Sequence, residues 1–138
     1  MVSTNMSLNK GPAPGFINHP DHVVRIESAQ HRWTVRDGDV VLADSRRTLL
    51  VEETGYERVI YFPPEDVSTE RLAQTEHRTT CPFKGEARYF VHAAADNGQP
   101  LAWIYPSVFD EVAPIKGYIA FYEDRVELQE ELNGATGV

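Results

Sequence analysis

Cysteine is nearly absent from this chain: Cys81 is the only one among 138 residues. A single thiol excludes an internal disulfide and a zinc cage built from paired cysteines. Long apolar runs are missing as well, and none approaches the ~18 residues that a membrane-spanning helix needs. The N-terminus, Met1-Val2-Ser3-Thr4-Asn5-Met6, carries neither a basic region nor an apolar stretch, so no secretory leader is expected and the expected compartment is the cytoplasm. Gly-rich phosphate cradles of either usual spacing are absent, and so is a Gly-x-Ser-x-Gly nucleophile elbow. Positive charge is scarce: 13 Lys and Arg stand against 21 Asp and Glu, a net charge of −8. Nucleic-acid binding gains its affinity by neutralising phosphates, so neither nucleic acid nor a membrane is an expected partner. The surplus of acid serves solubility and leaves room for one small anion at a local basic spot.

What is present is globular: 41% hydrophobic and 10% aromatic residues, in a length that fits one domain. Residues 1–22 carry Asn, Gly, Pro and Ser without periodicity and read as an N-terminal arm that lies across the domain or hangs free. Residues 23–128 read as a single β domain and 129–138 as a C-terminal tail. Arg32-Trp33-Thr34-Val35-Arg36 and Val40-Val41-Leu42-Ala43 flank Asp37-Gly38-Asp39, a strong hairpin signal. Further strands are predicted at Leu49-Leu50-Val51, at Arg58-Val59-Ile60-Tyr61-Phe62 and at Ala87-Arg88-Tyr89-Phe90-Val91-His92. Two more follow, at Leu101-Ala102-Trp103-Ile104-Tyr105 and Tyr118-Ile119-Ala120-Phe121-Tyr122. Asp66 or Ser68 is placed to cap one helical turn through Ala73, and a second short helical segment is predicted around 108–112. Asp96-Asn97-Gly98-Gln99-Pro100 predicts a turn. Residues 125–132, rich in Glu, Gln and Leu, predict a helix that Asn133-Gly134 stops. Nothing alternates as βαβ, so the fold expected is mainly β and antiparallel.

Alternation along a strand decides which side chains share a face. Ala87, Tyr89 and Val91 go one way; Leu101, Trp103 and Tyr105 share a face, as do Tyr118, Ala120 and Tyr122. If these faces meet, Tyr89, Trp103, Tyr105, Tyr118 and Tyr122 line an interior that suits a small-molecule pocket and equally well builds an ordinary aromatic core. Glu53 has the parity of Leu49 and Val51. Turned inward, its carboxylate needs a partner or becomes a proton donor; turned outward, it is a strand-end charge in water. Lys84 is the natural counter-charge.

The run 79–86, Thr79-Thr80-Cys81-Pro82-Phe83-Lys84-Gly85-Glu86, concentrates hydroxyls, a thiol, a lysine and a glycine just before a strand. Lys84 beside Gly85 offers a cation next to backbone that a ligand can approach closely. Cys81 is either a nucleophile activated by its neighbours or a small buried hydrophobe. The candidate ligand-binding residues are therefore Glu53, Tyr61, Thr80, Lys84 and Gly85, with Tyr89, Trp103, Tyr105 and Tyr118 on the aromatic face. Glu53 and Cys81 are the catalytic candidates. His19 and His22 have an i, i+3 spacing but no third ligand, and read as solvated. No metal and no cofactor are expected.

At these residues a family resemblance enters. Val41-Leu42-Ala43-Asp44-Ser45, Glu53-Thr54-Gly55-Tyr56, Tyr61-Phe62-Pro63-Pro64-Glu65-Asp66-Val67 and Thr80-Cys81-Pro82-Phe83-Lys84-Gly85, followed by Ala87-Arg88-Tyr89, resemble the family called domain of unknown function 427. Ala102-Trp103-Ile104-Tyr105 and Ile119-Ala120-Phe121-Tyr122-Glu123-Asp124-Arg125-Val126 extend the match over roughly residues 18–128, in order and at the right spacing. The resemblance implies a compact β-tent fold similar to Mss4-like proteins, with one or two short helical segments. Relatives of that fold carry zinc on two Cys-x-x-Cys knuckles; a chain with one cysteine has no such zinc site. A nucleotidyltransferase-like label goes with the family. The Gly-Ser and Asp-x-Asp arrangement of familiar nucleotidyltransferases is missing, and the only Asp-x-Asp is the hairpin turn 37–39.

Three functions remain open. The first is a domain binding a small polar or aromatic metabolite, oriented by Glu53 and Lys84. The second is an enzyme, with group or nucleotidyl transfer through Cys81 or acid–base chemistry at Glu53. The third is a protein-interaction module using an exposed strand or the acidic C-terminal segment, and an exposed edge would also allow a homodimer.

Overall fold

The strands alternate between two apolar destinations, and that alternation organises the molecule. A computed structural model of the chain describes residues 10–94 and 98–131. Ten strands succeed one another: β1 (Val24–Ser28), β2 (Arg32–Asp37), β3 (Val40–Ser45), β4 (Leu49–Glu53) and β5 (Val59–Phe62), then β6 (Leu72–Cys81), β7 (Gly85–His92), β8 (Ala102–Ile104), β9 (Ile119–Phe121) and β10 (Glu127–Glu131). Seven form an antiparallel sheet in the order β1-β4-β5-β9-β8-β7-β6, and β10-β2-β3 form a second, three-stranded antiparallel sheet. Among the described residues a short helix, α1 (Gly15–Asn18), precedes them. The protein is mainly β, and among the described residues no helix is long and apolar enough to cross a membrane.

Side chains of period 2 give the large sheet two buried faces. Ile60 and Phe62 of β5, Ala102 of β8, and Ile119 and Phe121 of β9 join Trp33, Val35 and Leu42 of the small sheet in one core. The residues between them, Tyr61 and Ala120, turn the other way into a second core with Val51, Ala87 and Tyr105. Trp103, Tyr89 and Tyr118 pack against that second core. A segment after β8, including the 3-10 turn Asp110–Ile115, covers it with Val108, Val112 and Ile115. Leu101 departs from its predicted parity with Trp103 and Tyr105. It lies before β8 begins and turns into the first core.

Other local expectations are corrected. Residues 127–131 form strand β10 and not a helix: a stretch this short cannot sustain its own helix, whereas the open edge of β2 offers it a ladder. Arg32 then bonds Glu131 on one side, at 2.7 Å, and Asp44 of β3 on the other, at 2.7 Å. Donation from its guanidinium holds the Asp44 carboxyl below the usual range. The predicted helical turn through Ala73 is replaced by two 3-10 turns, Pro64–Asp66 and Thr69–Arg71, neither with a side-chain cap. Asp66 instead accepts a 2.6 Å bond from the Ser45 hydroxyl. The Asp37-Gly38 hairpin joins β2 to β3 as expected. Asp96-Asn97, the Asn133-Gly134 stop and residue 132 lie outside the described residues.

The start of the described chain is stitched to the body. Lys10 N–H donates to the Val108 carbonyl at 2.8 Å, and Asp110 N–H to the Gly11 carbonyl at 2.8 Å. Gly15 N–H reaches the Pro82 carbonyl at 3.0 Å. A β-carbon at Gly15 would fall 2.7 Å from the Phe83 ring, so this close approach requires glycine.

Candidate functional site

On the second core's side of the large sheet, one row of cross-strand neighbours runs Tyr89, Trp103, Ala120, Tyr61 across β7, β8, β9 and β5. Large rings therefore flank a methyl group. The gap over Ala120 lets the Trp103 indole N–H donate to the Tyr61 hydroxyl at 3.1 Å, with the two rings perpendicular and their centroids 6.3 Å apart. Tyr89, Trp103 and Tyr61 of this row line a cavity of about 490 Å³. Val51 and Val59 add apolar wall from β4 and β5, and Tyr105 and Tyr122 close it from just beyond β8 and β9. Cys81 and Lys84 reach it from the β6–β7 hairpin, and Tyr56 and Glu57 from the β4–β5 loop.

The polar end of the cavity is a buried charge cluster. Glu53, last in β4, has its side chain 11% exposed, and Lys84 is 8% exposed. Lys84 Nζ donates to Glu53 Oε1. The second carboxylate oxygen, Oε2, accepts from His22 Nε2 at 2.8 Å. The His22 ring is stacked on Phe83 with centroids 3.8 Å apart and planes 17° apart, and Phe16 meets Phe83 edge-on at 5.0 Å. Pro82-Phe83-Lys84 is the turn between β6 and β7, so the run 79–86 singled out in the sequence is a hairpin tip. One side of that tip holds the lysine and the other receives the arm.

His22 corrects the solvated reading of that residue: its side chain is 14% exposed and hydrogen-bonded to Glu53. The pairing joins positions 31 apart in sequence, and no local pattern in Asn18-His19-Pro20-Asp21-His22 announces it. Of the sequence candidates, Glu53, Tyr61, Lys84 and Tyr89 share the cavity with Trp103, Tyr105 and Cys81. Three do not line it. Thr80 is exposed on the edge strand β6, opposite Glu86. Gly85 is buried beneath Ser107 and Val108. Tyr118 packs against the second core from the side. Val51, Tyr56, Glu57 and Val59 line the cavity besides these candidates; strand parity marks Val51 and Val59, and nothing local marks the two loop residues.

Burial pushes the Tyr61 hydroxyl well above its ordinary pKa of 10.0, against a lowering by the Trp103 hydrogen bond. Tyr105 is pushed up for the same reason, loss of water around the phenolate. Both phenols therefore stay protonated. The folded state holds their protons more tightly than the unfolded chain, so stability from these two groups is complete below pH 10 and falls as pH rises beyond it. Urea midpoints at pH 8 and pH 11 should differ, with the higher pH weaker. Absorbance at 295 nm should show a subset of the six tyrosines ionising only on unfolding.

Among the described residues, no group of three or more His, Cys, Asp or Glu side chains is arranged to hold a metal ion. Asp37-Gly38-Asp39 sits at the end of the small sheet and does not line the cavity. A family model described as a domain of unknown function, DUF427, matches residues 25–131. The chain belongs to the DUF427 family. No curated protein matches it. In this DUF427 chain the matched span contains Glu53, Lys84 and the whole aromatic wall, whereas His22 lies before it.

Proposed function

We propose that the protein binds a small polar or aromatic metabolite in the cavity lined by Tyr61, Tyr89 and Trp103, with Trp103 and its neighbouring tyrosines contacting the flat or apolar part and the Glu53–Lys84 pair orienting polar groups. One observation carries the reading: an open, largely aromatic cavity of about 490 Å³ ends on a buried ion pair. Protein interiors are otherwise packed without voids larger than a water molecule. A cavity of this size falls within the ~300–1,000 Å³ of ligand sites. A buried ion pair is also weak evidence of a stabilising role, since apolar residues of similar volume commonly do as well. Its retention beside the cavity is what a ligand-orienting role requires. Binding is favoured over acid–base catalysis because it needs only the aromatic wall and the ion pair, and no further proton-transfer group.

Thermal-shift screening against a library of soluble metabolites tests this. A ligand present at about 100 times its Kd should stabilise the fold by about 2.7 kcal/mol. The shift should vanish in Trp103→Ala and weaken in Lys84→Ala. A library without any hit that depends on either residue would count decisively against the reading.

A further inference from the structure

Resting on that ligand-binding reading, we infer that the occupant is a small organic cation, with a methylated ammonium head as its recognised group. Among the described residues six aromatic side chains border the cavity: Tyr56, Tyr61, Tyr89, Trp103, Tyr105 and Tyr122. Each ring face carries the negative end of a quadrupole, and a cage of such faces is attractive to a cation and indifferent to a neutral group of the same shape. The Tyr61 and Trp103 rings stand perpendicular, and the Tyr122 ring follows, tilted, with its centroid 4.7 Å from Trp103. The rim already holds one such contact: the Arg125 guanidinium lies 4.4 Å from the Tyr122 ring centroid.

The fixed charges point the same way. Lys84 is the one cation among the described lining residues, and Glu53 neutralises it. Two carboxylates, Glu53 and Glu57, therefore stand against one ammonium. Among the described residues Glu57 has no ion-pair partner, since the adjacent Arg58 bonds Glu123 at 2.6 Å. An anionic ligand would find no unpaired cation among the described lining residues, Arg125 standing outside them against Tyr122, and would approach a chain of net charge −8. A cation meets aromatic faces, a spare carboxylate at the mouth and an attractive long-range field. The protonated Tyr61 and Tyr105 hydroxyls complete the lining as neutral dipoles.

Choline and its uncharged carbon isostere, 3,3-dimethylbutan-1-ol, differ in charge and almost nothing else, and calorimetric titration of both tests the inference. Choline should bind, and the isostere should bind at least about tenfold more weakly, the size expected of desolvated cation–π contacts. The choline methyl protons should move upfield in proton NMR through ring currents. Glu57 is exposed, so Glu57→Lys should fold normally while weakening choline at least about fivefold. Equal binding of choline and the isostere would overturn the inference, as would a Glu57→Lys variant with unchanged choline affinity. Binding of indole or benzoate without choline would overturn the cation and leave the pocket standing. If none of these probes binds, the cation is overturned, and the pocket itself is then judged by the Trp103-dependent screen.

Discussion

Replacing Glu53 with alanine is expected to cost about 3–5 kcal/mol, because it strands a buried ammonium without its counter-charge. Lys84 is only 8% exposed, and its Nζ has Glu53 as its partner. The same substitution releases His22, whose Nε2 donates to the other carboxylate oxygen. Lys84→Ala should be milder. The carboxylate it leaves behind keeps His22 as a donor, so part of the electrostatic compensation survives. The double replacement Glu53→Leu with Lys84→Met should recover most of the loss, since apolar residues of similar volume need no mutual charge. Urea unfolding of the four proteins compares each stranded charge with the charge-free pair. Equal, small losses for both single variants would mean that water, and not Lys84, solvates Glu53.

Gly85→Ala should lower stability by about 3 kcal/mol, the combined size of backbone strain and overpacking. Gly85 has φ of +136°, a conformation that side chains disfavour, and its added β-carbon would lie 2.8 Å from the Ser107 carbonyl oxygen. The obstacle is backbone, so no side-chain rotation relieves it. This is where the segment after β8 crosses the start of β7: Gly85 bridges Val108, and Phe109 N–H donates to the Lys84 carbonyl at 3.0 Å. A shift here moves Lys84 as well, so ligand affinity should fall together with stability. Gly38→Ala is the control. Its φ of +63° is strained, but nothing lies within 4 Å of the added carbon, and its cost should be nearer 1 kcal/mol. Equal midpoints for the two variants would remove the steric argument.

Much of this architecture was legible because it rests on period-2 alternation. Ile60 and Phe62 against Tyr61, and Ile119 and Phe121 against Ala120, divide between the two cores as strand parity requires. The same parity turned Glu53 inward beside Val51. The Asp37-Gly38 turn announced its own hairpin. What escaped reading depends on contacts distant in sequence. Strand β6 is polar along most of its length because it is the exposed edge of the large sheet, so it shows no apolar alternation. Strand β10 is made of helix formers, and only the free edge of β2 makes it a strand. His22 lay in a segment without periodicity, and its place is set by Phe83 and Glu53, both supplied by other parts of the fold. Thr80 and Gly85 stand near Lys84 in sequence but not in the cavity. At a hairpin tip neighbouring residues point to different places, and of this run Cys81 and Lys84 reach the cavity while Thr80 and Gly85 do not.

The chain's two tryptophans offer the most direct measurement of the central claim. Trp103 lines the cavity and donates to Tyr61, whereas Trp33 lies in the first core and donates to the Gln30 carbonyl at 3.1 Å. In a ¹⁵N-labelled sample their indole N–H signals can be followed separately while choline, or a hit from the thermal-shift screen, is titrated in. Occupation of the cavity should move the Trp103 signal progressively and leave the Trp33 signal in place. A ligand that stabilises the protein while the Trp103 signal stays still would contradict the account.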